Sequence, residues 1–268
     1  MISTDFVYDG QFLSNYGFII CDFESGDGVN EIDTGSVLTF NKTPMNNGKY
    51  HTLTGSNYEQ CFGITFDICK DPDLFEGDQR IINEFEYTSI VKWLNRKDFH
   101  SFNFINDSPS CYFDASFNIS KLIINGELYG IRLIMETNRP FGYGSLVTVT
   151  KTYDSNNTSY IIKNKSQELG YTYPTIKVKC TQAGNVTITN TTTQNTIVIN
   201  NLSVNEEVEI NGLTQTIKTS KTSHKIADDF NYEFLPLQNS INNSNNVIEA
   251  TPCKLTISYN PIIKSIEL

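Results

Sequence analysis

The chain has 268 residues, 38% of them hydrophobic and 12% aromatic, which suffices to bury roughly 70–75% of the unfolded surface without staples. A formal charge of −10 with no basic stripe argues against a nucleic-acid partner, since an acidic surface repels phosphate. No run approaches the apolar length of a membrane-spanning helix, and MISTDFVYDG at Met1–Gly10 lacks the basic and apolar regions of a signal peptide.

Low charge, together with abundant Asn, Thr and Ser, favours turns and exposed strand faces over helices. In chain order, Phe6 and Tyr8 alternate in a strand that ends at the turn pair Asp9-Gly10. Phe18–Phe23 is a second apolar run, and residues 24–36, rich in Gly and acids, read as an exposed loop or hairpin arm. Val37–Asn41 is a short strand, followed by a turn at Asn46-Asn47-Gly48. Phe62, Ile64, Phe66 and Ile68 have the period of two that turns one face to a core. Ile82, Phe85, Ile90, Trp93 and Leu94 share one face at helical spacing and predict a helix from about Asp78 to Arg96, with Asp78 at its N-cap. Acids before it (Asp71, Asp73, Glu76, Asp78) and Arg96 and Lys97 after it suit the helix dipole, worth about 0.3–1 kcal/mol per charge. Strand alternation resumes at Phe102 and Phe104, at Cys111–Ile119 and at Tyr129–Met135, with a tight hairpin at Asn125-Gly126.

Asn138–Gly144, with one Pro and two Gly, breaks the pattern and marks a domain boundary between 1–144 and 145–268. Beyond it Phe becomes scarce, and strand candidates recur about every ten residues: Leu146–Tyr153, Tyr160–Lys163, Thr175–Cys180, Asn185–Asn190, Thr196–Asn200, Val208–Ile210, Gln215–Thr219, Asn246–Ala250 and Cys253–Tyr259. That spacing is the signature of a β-sandwich. Gln238–Asn246 reads as a loop. The predicted class is mainly β with one α-helix in the N-terminal domain.

The residues assign no catalytic, cofactor-binding or metal-ligating site. His51, His100 and His224 are isolated in sequence, with His100 expected on a polar strand face. Cys21, Cys61, Cys69, Cys111, Cys180 and Cys253 form no CxxC pair and read as buried free thiols. The acidic run Asp71–Asp78 fails the calcium-loop pattern, because its sixth position is Glu76 and its twelfth is Ile82. No GxSxG, phosphate-binding or dinucleotide-binding loop occurs. Trp93, the single Trp, reads as core, and Tyr143, Tyr153, Tyr160, Tyr171 and Tyr173 are the residues on which a sugar could stack. A carbohydrate-binding module is therefore the alternative function, and an enzyme is not expected.

Several segments in order resemble the distal tail protein family of long-tailed bacteriophages. They are Tyr8-Asp9-Gly10, Asn15–Ile19, the helix end Val91-Lys92-Trp93-Leu94, and LIMETNRPFGYG at Leu133–Gly144. Tyr173–Val178, Asn185–Asn190, Glu206–Ile210, Phe234–Leu237, Asn246–Ile248 and Leu255–Tyr259 continue the likeness through the second half. Where that family carries a Gly beside the Asn of the loop before its last strands, this chain has Gln238-Asn239-Ser240. The resemblance implies an N-terminal β-barrel or sheet domain that forms a hexameric ring, and a C-terminal galectin-like β-sandwich facing outward. It implies a structural virion protein of the tail tip or baseplate that lines the DNA channel and uses no cofactor. The implied partners are further copies of the chain, the tail tube protein, the tip hub and, in some phages, a receptor-binding protein.

Overall fold

A computed structural model describes residues 3–23, 37–46, 48–105 and 111–264. The predicted loop at 24–36 and Asn47 of the predicted turn lie outside the described residues. The fold is mainly β, with a single α-helix among the described residues. It divides into two compact units, Met1–Gly144 with Ile263–Leu268, and Ser145–Ile262.

The first unit contains β1 (Phe6–Tyr8), β2 (Gln11–Phe12), β3 (Phe18–Cys21), β4 (Leu38–Pro44), β5 (His51–Tyr58), β6 (Gly63–Lys70), α1 (Glu84–Leu94), β7 (His100–Phe104), β8 (Phe113–Ile124), β9 (Glu127–Thr137) and β10 (Gly142–Tyr143). Seven of these strands form one antiparallel sheet in the order β2-β1-β7-β8-β9-β6-β3. Among the described residues it is an open sheet and not a closed barrel, with β2 and β3 at its edges. The Asn125-Gly126 pair joins β8 to β9 as expected, with φ of 52° and 92°, the double positive φ of a type I′ turn.

Alternation along these strands turns Phe6, Tyr8, Ile68, Phe102, Phe113, Phe117, Ile131 and Leu133 into one core, which Ile90, Trp93 and Leu94 of α1 close. The Trp93 ring stacks on Tyr16 at 4.5 Å and on Phe6 at 5.7 Å, and its indole N–H donates to the Tyr8 carbonyl at 3.2 Å. Such ring pairs contribute about 0.5–1.5 kcal/mol each beyond area burial. Trp93 is thus core, as its spacing implied.

The helix is shorter than predicted and starts at Glu84. Asn83 is the N-cap: its side chain accepts from the Glu86 amide at 2.9 Å, and Glu86 reaches back to the Asn83 amide at 2.9 Å. This capping box outcompetes Asp78, which lies in a separate 3₁₀ turn at Gly77–Arg80. Ile82 stands in extended chain between the two and donates to the Leu128 carbonyl at 2.8 Å. The predicted apolar face shifts as a result. Ile82 is buried without being helical, whereas Phe85, placed on the core face by its spacing, is 82% exposed.

The second unit contains β11 (Val147–Tyr153), β12 (Ser159–Lys163), β13 (Gly170–Thr172), β14 (Thr175–Cys180), β15 (Gly184–Asn190), β16 (Asn195–Leu202), β17 (Glu207–Asn211), β18 (Thr216–Thr219), β19 (Leu237–Asn239), β20 (Asn245–Ala250) and β21 (Cys253–Tyr259). A five-stranded sheet, β11-β21-β14-β17-β18, and a four-stranded sheet, β12-β20-β15-β16, share one core that includes Ile176, Val178, Ile188, Ile199, Val208, Ile210, Leu255 and Ile257. Two sheets that bury alternate residues against each other are a β-sandwich.

One segment departs from the expected pattern. Gln238 and Asn239, the start of the predicted loop, form β19 together with Leu237 and pair with β13. Buried amides hold it there. Asn190 donates to the Pro236 carbonyl at 2.7 Å and to Asn246 Oδ1 at 3.0 Å. Asn164 donates to the Leu237 carbonyl at 2.9 Å, and Asn239 to the Ser166 and Glu168 carbonyls at 2.7 Å each. A three-residue strand shows no period; side-chain hydrogen bonds from distant elements define it.

Candidate functional site

The strands β4 and β5 belong to neither large sheet. Among the described residues they pair only with each other, as a two-stranded arm. Register fixes its faces. Leu38 lies opposite Tyr58, Phe40 opposite Ser56, and, past a bulge at Asn41/Lys42, Lys42 lies opposite Leu53. Alternation therefore gathers Leu38, Phe40, Leu53 and Tyr58, with Lys42 and Ser56, on one face, while Thr39, Asn41, Thr43, Thr52 and Asn57 occupy the other. The apolar face is bare: Leu38, Phe40 and Leu53 are 43%, 53% and 56% exposed. Met45 and Tyr50, at its turn, are exposed as well.

A lone two-stranded hairpin is marginal in water, and single exposed apolar residues are ordinary. A hairpin that leaves Leu38, Phe40 and Leu53 uncovered together on one face is a different object, a candidate contact surface. Its base is anchored: the Tyr58 ring meets Phe141 edge-on at 5.1 Å, and Lys264 Nζ sits 5.4 Å from the Tyr58 ring centre. The arm sequence, residues 37–58, carries Lys42 and Lys49 and no Asp or Glu, in a chain whose net charge is −10. It is thus a basic, apolar projection on an acidic protein.

The three histidines stay apart. His51 lies exposed on β5, opposite Pro44. His100 is on β7 with Nδ1 3.6 Å from Asp9, whose carboxylate also pairs with Arg96 at 2.7 Å. His224 is different, and sequence spacing alone could not have shown why. Its Nδ1 lies 2.5 Å from Glu206 Oε1 and its Nε2 lies 2.9 Å from Asp229 Oδ2. Glu206 comes just before β17, His224 after β18, and Asp229 from the 3₁₀ turn Ile226–Asp229, so three separate turns build the cluster. Hydrogen bonding to Glu206 raises the His224 pKa above its ordinary 6.5; burial opposes this, and Asp229 adds to the rise. For Glu206, burial pushes upward, but the Thr219 hydroxyl, the Ser203 amide and His224 outweigh it and lower the pKa. Both imidazole nitrogens face carboxylates, so the ring links three turns and leaves no free nitrogen to act as a general base.

The acidic run is a turn. The Asp71 carboxylate accepts from the Asp73 amide at 2.9 Å, and Glu76 caps the 3₁₀ turn. Lys70 donates to the Gln79 carbonyl at 2.9 Å and pairs with Glu86 at 2.7 Å. Among the described residues, no three His, Cys, Asp or Glu converge as a metal site would require.

The tyrosines proposed as sugar platforms scatter. Tyr153 is buried, and Tyr160 packs edge-on against it at 5.1 Å. Tyr143 donates to Asp114 at 2.8 Å, and burial together with that carboxylate pushes its pKa up to about 12. Tyr171 and Tyr173 are exposed. A groove of about 500 Å³ in the second unit is lined by Lys163, Lys165, Asn239–Ser244 and neighbouring polar groups, with no aromatic ring among them. The cysteines also depart in part from expectation: Cys180 and Cys253 are buried, Cys21, Cys69 and Cys111 are half-buried, and Cys61 is exposed.

Residues 1–139 match the family described as phage tail protein N-terminal domain, and residues 141–259 match the phage tail C-terminal domain. The chain belongs to the phage tail protein family. This tail protein is a structural component of the virion tail. It shares its fold with SPP1 Dit (gp 19.1), described as a paradigm of the hub adsorption apparatus in phages that infect Gram-positive hosts. That likeness covers 97% of this chain and 99% of the Dit chain, with 18% identity and a TM-score of 0.67. A chain of the phage P2 baseplate in its activated conformation is similar at 10% identity and a TM-score of 0.50, over 99% of this chain and 100% of that one. No curated protein sequence matches this tail protein. No helix among the described residues is long and apolar enough to cross a membrane.

Proposed function

We propose that this tail protein is a distal tail protein whose copies close into a ring, hexameric by family resemblance, at the end of the tail tube. The observation that carries the proposal is the β4–β5 arm, with Leu38, Phe40 and Leu53 uncovered on one face. A second copy of the chain is its occupant. The arm carries Lys42 and Lys49 without a single acid, and the body it reaches for is acidic, so unlike charges meet where the net charge of −10 would otherwise drive copies apart. An arm that docks on a different surface of its neighbour makes a heterologous contact, and such contacts close into rings when the rotation permits. Each contact should bury more than about 1,000 Å² to be stable.

In this reading the first unit, residues 1–144 with 263–268, builds the ring and continues the tube's channel, and the second unit, a galectin-like sandwich, faces outward. An acidic wall suits a channel for DNA, because it gives phosphates nothing to bind. The ring joins the tail tube protein to the tip hub and offers an outer surface to a receptor-binding protein. The function is mechanical and involves no catalysis and no cofactor. Electron micrographs of the purified protein, classified for rotational symmetry, test it: ring-shaped particles are expected. A protein that stays monomeric at high concentration in both low and moderate salt removes the proposal.

A further inference from the structure

Two pairs of cysteines, far apart in sequence, meet across strand ladders. Cys180 and Cys253 are direct partners on β14 and β21. The Cys180 amide donates to the Glu206 carbonyl and its carbonyl accepts from Asn205, both at 2.9 Å. Both backbone groups therefore point away from β21. This makes Cys180 and Cys253 a non-hydrogen-bonded pair, where cross-strand side chains come closest. Yet both are fully buried, and the Cys180 thiol donates to the Gln182 carbonyl at 2.7 Å.

The other pair is arranged differently. On β3 and β6, Ile19 lies opposite Cys69 and Cys21 opposite Asp67. Cys21 and Cys69 are thus diagonal neighbours on one face of the ladder. Both are half-buried and within reach of a small solute. A regular ladder sets diagonal Cα atoms about 7–8 Å apart, just beyond the roughly 4.4–6.8 Å that a disulfide spans. Closure needs a small shift of one strand. Cys21 is the last residue of β3, which is an edge of the sheet, so that end can give.

We propose that Cys21 and Cys69 form an oxidation site that closes into a disulfide once the protein leaves a reducing compartment. The oxidant is a low-molecular-weight disulfide such as oxidised glutathione. One cysteine thiolate attacks a sulfur of that disulfide, forms a mixed disulfide and releases one small thiol. The second cysteine attacks the protein-bound sulfur and displaces the other small thiol. Two protein thiols are oxidised, and one small disulfide is reduced to two thiols. The consequence is local. The chain leaves the sheet at Cys21, carries the β4–β5 arm, and returns in β6 before Cys69. The new bond closes residues 22–68, which include the arm, into a covalent loop. The site stands on the cysteine geometry alone, whatever covers the arm.

The test uses the full chain, treated with oxidised glutathione at mildly alkaline pH. Remaining thiols are then alkylated in denaturant, and unreduced peptides are mapped by mass spectrometry. The expected result is a cross-linked Cys21–Cys69 peptide pair, two hydrogens lighter than its parts, with Cys180 and Cys253 recovered as alkylated thiols. Cys69→Ser should abolish the cross-link and leave Cys21 as a thiol or a mixed disulfide. Recovery of Cys21 and Cys69 unlinked, under conditions that fully modify exposed Cys61, overturns the proposal. So does a Cys180–Cys253 cross-link formed in preference. The wild-type map alone decides the matter if the variant fails to fold.

Discussion

Replacing Phe40 with Asp tests the arm most directly. Phe40 is 53% exposed in the isolated subunit, so of a phenylalanine surface of about 200 Å², about 100 Å² is left for a neighbour to cover. At about 25 cal/mol per Å² that burial is worth about 2.5 kcal/mol per contact, and a desolvated Asp carboxylate only adds to the loss. With about 1.4 kcal/mol per tenfold, each contact weakens by about 60-fold or more. A ring subunit makes two such contacts, one through its own arm and one as receiver, so assembly should fail at concentrations where the parent protein is fully assembled. The subunit itself should be unharmed, because the side chain contributes nothing to its core. Sedimentation velocity at matched concentrations reads the assembly state, and thermal unfolding reads the subunit. Thr39→Asp, on the polar face of the same strand, is the control and should assemble normally. The reasoning is refuted if F40D assembles like the parent, or if F40D and T39D behave alike.

Three further outcomes are expected. Trp93→Ala removes the ring stacked on Tyr16 and Phe6 and should destabilise the first unit by about 3–5 kcal/mol, measured by chemical denaturation. Asn190→Ala leaves the buried Pro236 carbonyl and Thr192 amide without their partner and should cost about 2–4 kcal/mol, with an unchanged denaturant slope. The Glu206–His224–Asp229 clamp predicts a stability window in pH. The raised His224 pKa contributes stability that is complete below the ordinary 6.5 and is lost as pH rises through the folded value; the lowered Glu206 pKa contributes stability that is present above 4.5 and is lost as pH falls through its folded value. Thermal unfolding of His224→Gln should therefore show its largest deficit near about pH 6, narrowing toward about pH 9, and a deficit independent of pH would contradict the clamp.

The sequence by itself determined the β class, because a period of two in Phe62–Ile68, Cys111–Ile119 and Thr175–Cys180 reports which side chains share a face. It also carried the family likeness and the Asn125-Gly126 hairpin, since residue type sets local backbone preference there. The limits are equally physical. The helix start turned on competition between two caps, Asp78 and Asn83, and was settled by the capping box with Glu86 and the anchoring of Ile82 on Leu128. β19 was illegible because what holds it, the side chains of Asn164 on Leu237 and of Asn190 on the preceding Pro236, comes from residues far away in sequence. Only the tertiary structure brought Glu206, His224 and Asp229 together, or Cys21 beside Cys69, since strand order decides which distant residues become neighbours. It alone also decided that the apolar face of β4–β5 stays bare, because periodicity identifies an apolar face but not whether the same chain folds back to cover it.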